Sequence, residues 1–283
     1  MTTSADEIRS LVETALREDA PEGDLTAALT VPESATCRAE LRAKAPGVLA
    51  GRSVASAVFD VVSEQDGLGQ ISIEWHRDDG ERVEPGDLIA DAHGPARSIL
   101  RAERVAINFL AHLSGVASLT RTFVDAAAPA RILCTRKTTP GLRSLERDAV
   151  LAGGGVLHRA SLSDAVLIKD NHLWFTDGVA NAVAKAKEGG VPVEVEVESL
   201  AQLEEAVDAG ADRILLDNPS PELVEEAIAT VEDPDRLEIS GGVTLDSVPL
   251  LAEAGTRVIS VGRITHSAPS LDLSLEVVDV DQV

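Results

Sequence analysis

The stretch VPVEVEVESLAQLEEAVDAGADRILLDNPS, Val191–Ser220, decides the fold. It opens on an apolar strand, Val191–Val197, passes through a helical segment near Leu200–Ala209, and returns to a second apolar strand, Arg213–Leu216. Two short apolar strands joined by one helix form a parallel pair with a right-handed crossover. The unit recurs on both sides. Strands at Ile132–Cys134, Ala165–Ile168, Leu237–Ile239 and Val258–Val261 alternate with helical segments near Leu142–Ala152, Asp177–Lys187, Pro221–Val231 and Leu245–Ala254. Repeats of about 20–25 residues, whose strands end in polar or Gly-containing turns, favour a closed barrel over a doubly wound open sheet.

The chain before this region has a different rhythm. Ser4 is placed to cap a helix with Asp6 and Glu7 in its first turn, followed by Ile8, Leu11, Val12, Ala15 and Leu16 at helical spacing. Asp19–Thr26 reads as the turn that ends it. From Cys37 to Ile89, short strands (Ala39–Ala43, Gly47–Gly51, Ile71–Trp75) surround a helix near Ser53–Val62. This predicts a small α+β domain with a mixed or antiparallel sheet. Ser98 to about Ala127 is one long helix with Ile99, Ala102, Val105, Ala106, Phe109, Leu110 and Leu113 on one stripe, and Gly115 marks a kink or a close contact. The tail Leu271–Val277 alternates strictly, which suits a half-exposed strand returning to the first sheet rather than a buried barrel strand.

Composition narrows the class. Aromatic residues are 2% of the chain and Tyr is absent, so the core is aliphatic, as buried parallel strands prefer. A formal net charge of −23 repels nucleic acid and anionic membrane surfaces. Acid-rich, Lys-poor composition suits a high-salt cytoplasm, where screening removes the self-repulsion. Cys37 and Cys134 are far apart and fit no metal or redox pattern. No stretch reads as a signal peptide or a membrane span, so a cytoplasmic protein is expected.

The chemistry gathers at the strand ends, where α/β barrels carry their sites. Thr135, Arg136 and Lys137 follow one strand, and Lys169, Asp170 and Asn171 another, with His158 and Arg159 between them after Gly153-Gly154-Gly155. Arg supplies a planar fork and Lys a point charge, and both together suit a ligand with several anionic groups. Glu194, Glu196 and Glu198 share one face of their strand, and Asp217 and Asn218 end the next. Carboxylates inside a barrel need cationic partners or a divalent metal such as Mg²⁺. Ser240-Gly241-Gly242 and Gly262 precede helices and can offer backbone N–H groups to phosphate. Together these features point to an enzyme acting on a phosphosugar and a carboxylated partner.

These residues resemble the quinolinate phosphoribosyltransferase family. The likeness lies in Thr135–Gly141 (TRKTTPG), Gly153–Gly155 with His158-Arg159, Ser163–His172 (SDAVLIKDNH) and Leu215–Asn218 (LLDN). Ala102–Arg104 through His112–Gly115, Glu18-Asp19 with Gly23–Thr26, and Val261-Gly262 with Thr265–Ser267 match too, so it covers nearly the whole chain. Cys134, Leu157 and Arg263 depart from the family pattern, and Arg263 reads either as a phosphate contact or as a surface charge.

The resemblance implies an incomplete α/β barrel at 113–266 and an N-terminal α/β sandwich at 1–112 completed by the tail, 267–283. It implies a reaction in which quinolinate and phosphoribosyl pyrophosphate give nicotinate mononucleotide, pyrophosphate and CO₂ with Mg²⁺, in de novo NAD synthesis. It also implies a homodimer, or a larger assembly such as a hexamer, with a shared active site. By resemblance, Arg136, Arg159 and Lys169 hold the quinolinate carboxylates beside His158 and Thr135, and Arg104 reaches the same ligand from the partner subunit. Lys137 contacts phosphoribosyl pyrophosphate, Glu196 and Asp217 serve ribose and metal, and Ser240, Gly241, Gly242 and Gly262 hold phosphate with His266 nearby. Lys137, Glu196 and Asp217 are the expected catalytic residues. Two other readings compete: a same-fold transferase with another carboxylated acceptor such as nicotinate, and a non-catalytic phosphosugar-binding protein. Three cations for two carboxylates argue against the first, and the acid pair Glu196 and Asp217 argues against the second.

Overall fold

Ser4 caps α1 (Ala5–Asp19) by accepting the Glu7 N–H, and the helix buries Ile8, Val12 and Leu16 at the expected spacing. The computed structural model containing this helix describes residues 3–281. Asp24 caps a further short helix, α2 (Leu25–Thr30), where the sequence suggested only a turn. Next come β1 (Thr36–Ala43), β2 (Gly47–Val48), α3 (Arg52–Asp66), β3 (Ser72–Trp75), β4 (Arg82–Val83), β5 (Leu88–Pro95) and the long α4 (Ala96–Ala127).

Two units emerge from the packing. The first takes the described residues up to Leu119, then Thr139–Gly154, and those from Ser267 onward; the second takes Thr120–Thr138 and Gly155–His266. The helix α5 (Arg143–Ala152) thus belongs to the first unit, although the strand–helix rhythm assigned it to the barrel.

The first unit is built on a four-stranded sheet of order β12-β1-β5-β3, where β12 is the tail strand Leu273–Asp281. All its pairings are antiparallel. Beneath it Leu41, Ile89 and Ala90 pack with Ile107 and Leu110 of α4 and with Leu271 and Leu273 of the tail. Burying each large aliphatic side chain contributes roughly 1.5–3 kcal/mol. Gly115 is a close contact and not a kink, since a Cβ there would meet the Pro269 carbonyl and Ser270.

The second unit holds β6 (Arg131–Leu133), β7 (Val166–Ile168), α6 (Asp170–Leu173), α7 (Val179–Lys187), β8 (Val193–Val197) and α8 (Leu200–Asp208). It continues with β9 (Arg213–Asp217), α9 (Pro221–Val231), β10 (Leu237–Ser240), α10 (Val248–Glu253), β11 (Val258–Ser260) and α11 (Arg263–His266). The sheet order is β6-β11-β10-β9-β8-β7, every pairing parallel. β6 and β7 are its two edges, so the repeat does not close into the full ring its periodicity suggested; the barrel is incomplete. Val156 makes one parallel bridge to Leu133, the start of a further strand. The Gly-rich 153–155 and Ser-rich 161–163 segments around it lack the β-branched residues that would extend a ladder.

Val193, Val195, Val197, Ile214, Leu216 and Ile239 form the aliphatic layer of this sheet. Cys37 and Cys134 are both buried free thiols, and burial pushes the Cys37 thiol up. Among the described residues no helix is long and apolar enough to cross a membrane.

Candidate active site

Strand register places the site. Leu167 pairs with Glu194, Glu196 with Leu215, Leu215 with Glu238, and Asp217 with Ser240. Because side chains alternate, Leu167, Lys169, Glu194, Glu196, Leu215, Asp217, Glu238 and Ser240 belong to one face of the sheet. The valines and isoleucines between them take the other. A cavity of about 260 Å³ opens on the polar face. Seven residues singled out from the sequence line it, Thr135, Arg136, Lys137, His158, Arg159, Lys169 and Ser240, together with Leu167, Leu215, Glu238 and Ser260.

Local contacts fix these side chains. The Lys137 N–H donates to Thr135 Oγ1 at 3.0 Å, and buried Thr265 donates to the Lys137 carbonyl at 2.7 Å and to the Gly262 carbonyl at 3.0 Å. Thr265 thereby ties the loop after β6 to the loop after β11. A Cβ on Gly262 would lie 3.0 Å from Lys137 Cδ and 3.3 Å from Thr135 Oγ1, with His266 also within reach, so these four predicted residues form one corner. The loop after Arg159 is held by Asp164, which accepts from the N–H groups of Ala160 and Ser161 and from the Ser161 hydroxyl.

Charge is unevenly spread. Burial, then the neighbouring charge of Arg136, holds the Arg159 guanidinium below its ordinary pKa, while Glu194 and Asp164 act the other way. Two cations that repel each other in a partly buried cavity gain from an anion bound between them. Lys169 pairs with Glu196 across β7 and β8. His158 Nε2 lies 3.1 Å from Glu194 and 3.4 Å from Glu238, both buried acids. Burial alone would depress the ring; the two carboxylates outweigh it and raise its pKa to about 9. The Arg159 N–H, 2.8 Å from His158 Nδ1, pulls the other way, since it favours a lone pair there. Two charges outweigh one amide dipole, and the ring's affinity for a proton stays raised.

The remaining predicted residues sit beside the cavity or apart from it. Asp217 is half-buried at the end of β9, and Asn218, at φ 51°, donates to its carboxylate at 2.7 Å while its own N–H reaches the Ser240 carbonyl at 2.8 Å. Gly241 and Gly242 turn against this pair at φ 88° and 56°. Arg104 belongs to the first unit, exposed on α4, and is not among the residues that line the cavity. Glu198 is exposed beyond the end of β8, and Arg263 is exposed on α11, as a surface charge would be. In the first unit, fully buried Glu146 accepts the Thr139 N–H at 3.1 Å and lies 2.8 Å from His112 Nε2, fixing the Thr139–Gly141 segment.

Glu238 and Ser260 are the site residues the sequence reading missed. Their strands read as apolar runs, and the available signal was an acid in register with the Glu196 row.

Comparison with known proteins gives the family. Residues 24–114 match the quinolinate phosphoribosyl transferase N-terminal domain, and residues 116–276 match the C-terminal domain of the same family. The chain belongs to the quinolinate phosphoribosyltransferase family. It is 40% identical over 276 residues to the probable carboxylating nicotinate-nucleotide pyrophosphorylase of Bacillus subtilis (strain 168), covering 96% of this chain and 93% of that protein. It is likewise 40% identical over 279 residues to the carboxylating nicotinate-nucleotide pyrophosphorylase of Rattus norvegicus, covering 95% of this chain and 90% of that one. The solved structure of the nicotinate-nucleotide pyrophosphorylase from Francisella tularensis superposes with a TM-score of 0.90 at 36% identity, covering 98% of each chain. The incomplete barrel and its antiparallel companion are thus the family fold, and the cationic cavity lies where that fold brings its strand ends together.

Proposed function

We propose that this chain transfers the phosphoribosyl group of phosphoribosyl pyrophosphate to quinolinate and releases CO₂, giving nicotinate mononucleotide and pyrophosphate in de novo NAD synthesis. One observation carries the choice of acceptor: Arg136, Arg159 and Lys169 converge on a single cavity, with Arg136 close enough to disfavour the charge of Arg159. A dicarboxylate satisfies such a cluster, and a monocarboxylate leaves part of it unneutralised.

The chemistry follows from the surrounding groups. The pyridine nitrogen lone pair forms the bond to the ribose carbon as pyrophosphate leaves with the electrons of the broken C–O bond. Positive charge builds at the ribose carbon and is stabilised by nearby carboxylate charge, the role we give Glu196 and Asp217. In the free protein Glu196 pairs with Lys169. An arriving carboxylate gives Lys169 a second anion and frees Glu196 to face the ribose. Lys137 neutralises the departing phosphates, and Ser240, Gly241, Gly242 and Gly262 offer N–H groups to phosphate. Glu196 and Asp217, at neighbouring strand ends, suit Mg²⁺, which takes one or two protein carboxylates with the rest of its shell from phosphate and water. Bound there, Mg²⁺ supplies charge neutralisation to the pyrophosphate. Once the ring nitrogen is ribosylated and cationic, it draws the electrons of the breaking C–CO₂⁻ bond, and the carbanion takes a proton from solvent.

We also propose a homodimer in a high-salt cytoplasm, with Arg104 completing the partner's acceptor site. Exposed Leu25 and Leu29 on α2, and Trp174 and Phe175 after α6, offer apolar surface for a partner subunit. Mixing an Arg104→Ala variant with a Lys169→Ala variant then recovers part of the activity, and no recovery despite proven subunit exchange refutes the shared site.

The test of function is a product assay by mass spectrometry with phosphoribosyl pyrophosphate, Mg²⁺ and either quinolinate or nicotinate, in low and in molar salt. Nicotinate mononucleotide with CO₂ from quinolinate alone is the expected result. No product from quinolinate in any salt, with the protein folded, overturns the reading.

A further inference from the structure

The cavity lined by four cations, Arg136, Lys137, Arg159 and Lys169, is also lined by an acid, Glu238. Glu238 is 1% exposed and Glu194, on the neighbouring side of His158, is 6% exposed. Glu194 Oε1 and Glu238 Oε2 are buried without a hydrogen-bond partner among the described residues. Two such carboxylates beside a cavity built for anions would repel the ligand it is built for. The charge of Arg213 acts on Glu238 and that of Arg159 on Glu194, and His158 Nε2 lies within 3.4 Å of both acids. Ser260 donates to the other oxygen of Glu238. The ring's second nitrogen, Nδ1, faces the Arg159 N–H. Both ring nitrogens of His158 are therefore directed at the protein.

We propose that His158 serves the acceptor indirectly, as a positioning residue that caps the Glu194–Glu238 acid pair and cancels its field in the cavity, rather than as a hydrogen-bond partner of the acceptor's carboxylates. This rests on the reading of the cavity as the quinolinate site. A direct contact and a charge cap make opposite predictions when the acids are neutralised. If His158 binds the carboxylate, its removal costs the same whatever Glu238 carries. If His158 caps the acids, removing their charge makes His158 dispensable.

The experiment is a double-mutant cycle on the full chain with His158→Gln, Glu238→Gln and the double variant. Calorimetry gives quinolinate affinity, steady-state kinetics give KM and kcat, and thermal unfolding with phosphoribosyl pyrophosphate affinity reports folding. His158→Gln is expected to weaken quinolinate binding on the order of tenfold or more, through KM rather than kcat, as an uncompensated charge near a low-dielectric cavity does. The double variant is expected to regain at least half of that loss on a logarithmic scale, and Glu238→Gln alone to bind quinolinate at least as tightly as the parent. A double variant as weak as His158→Gln overturns the proposal, and so does weaker binding by Glu238→Gln alone. If Glu238→Gln unfolds, Glu194→Gln applies the same rescue from the other acid. A parent protein that binds no quinolinate overturns the functional reading and this proposal with it; parent binding without rescue overturns only the proposal.

Discussion

Gly241→Ala isolates what the Ser240–Gly242 turn does. Gly241 sits at φ 88°, where a side chain is strained. A Cβ there would lie 2.5 Å from Asp217 Oδ1 and from Asn218 Oδ1. Neither neighbour retreats freely, because Asn218 donates to Asp217 and its N–H is bonded to the Ser240 carbonyl. Gly190 is the matched control, at φ 67° with nothing within 4 Å of its Cβ position. Both variants carry left-handed strain of about 1–2 kcal/mol. At about 2–4 °C per kcal/mol, that lowers the unfolding temperature by roughly 2–8 °C in each. Only Gly241→Ala also displaces Asp217, and misplacing a group at the reacting centre by about 1 Å costs on the order of a hundredfold in rate. Steady-state kinetics beside calorimetric unfolding should therefore show a melting loss in both variants, larger in Gly241→Ala because of its added contacts, and a kcat/KM for phosphoribosyl pyrophosphate down about a hundredfold in Gly241→Ala alone. Equal activity in the two variants, both folded, refutes the role of Asp217 in the transfer.

Other outcomes follow from the same geometry. Arg136→Ala or Arg159→Ala should abolish quinolinate binding while leaving phosphoribosyl pyrophosphate binding largely intact; normal quinolinate affinity by calorimetry in both variants sinks the assignment. Glu146→Ala strands a partly buried Thr139 N–H and the His112 ring, and should cost about 2–4 kcal/mol of unfolding free energy, whereas Glu146→Gln keeps an acceptor and recovers most of it in denaturant titrations. The His158 pKa, raised from 6.5 to about 9, gives a signed pH dependence. A raised pKa means that folding gains a proton's worth of stability, fully present below about pH 6.5 and lost as pH rises through about 9. Unfolding free energy should fall across that window, and Glu238→Gln should flatten the fall; an unchanged slope in that variant refutes the pairing.

The face of the sheet on which the cavity opens was legible because alternation and strand ends are local properties. Val193 to Val197 announces a strand whose glutamates share a side, and Lys169 and Asp217 follow apolar runs that can only be buried. Closure of the barrel was not legible in the same way. It depends on whether the segment around Val156 pairs along its length, and its one bridge to Leu133 is a tertiary outcome of a Gly-rich, Ser-rich stretch. The placement of α5 in the first unit was hidden for a related reason. The Leu145, Ala149 and Val150 stripe specifies a buried helix face and not the partner that covers it.

Glu238 shows where local reading stops and charge takes over. Its neighbours Leu237 and Ile239 are fully buried, so the strand reads as core, and a single acid within it looks like noise. An unpaired buried carboxylate is too costly to be noise. In a chain of net charge −23, any site for anions must shield itself from the protein's own acids. The cavity does this in pairs: Lys169 against Glu196 in the outer row, and His158 against Glu194 and Glu238 in the inner one. The pairs differ in exposure. The Lys169 side chain is 43% exposed and can change partners when a carboxylate arrives, whereas His158 is 10% exposed and held at both nitrogens. On the proposed function, the outer pair opens on binding and the inner one stays shut. Substitutions in the outer pair should therefore reach kcat, and those in the inner pair should act on acceptor affinity.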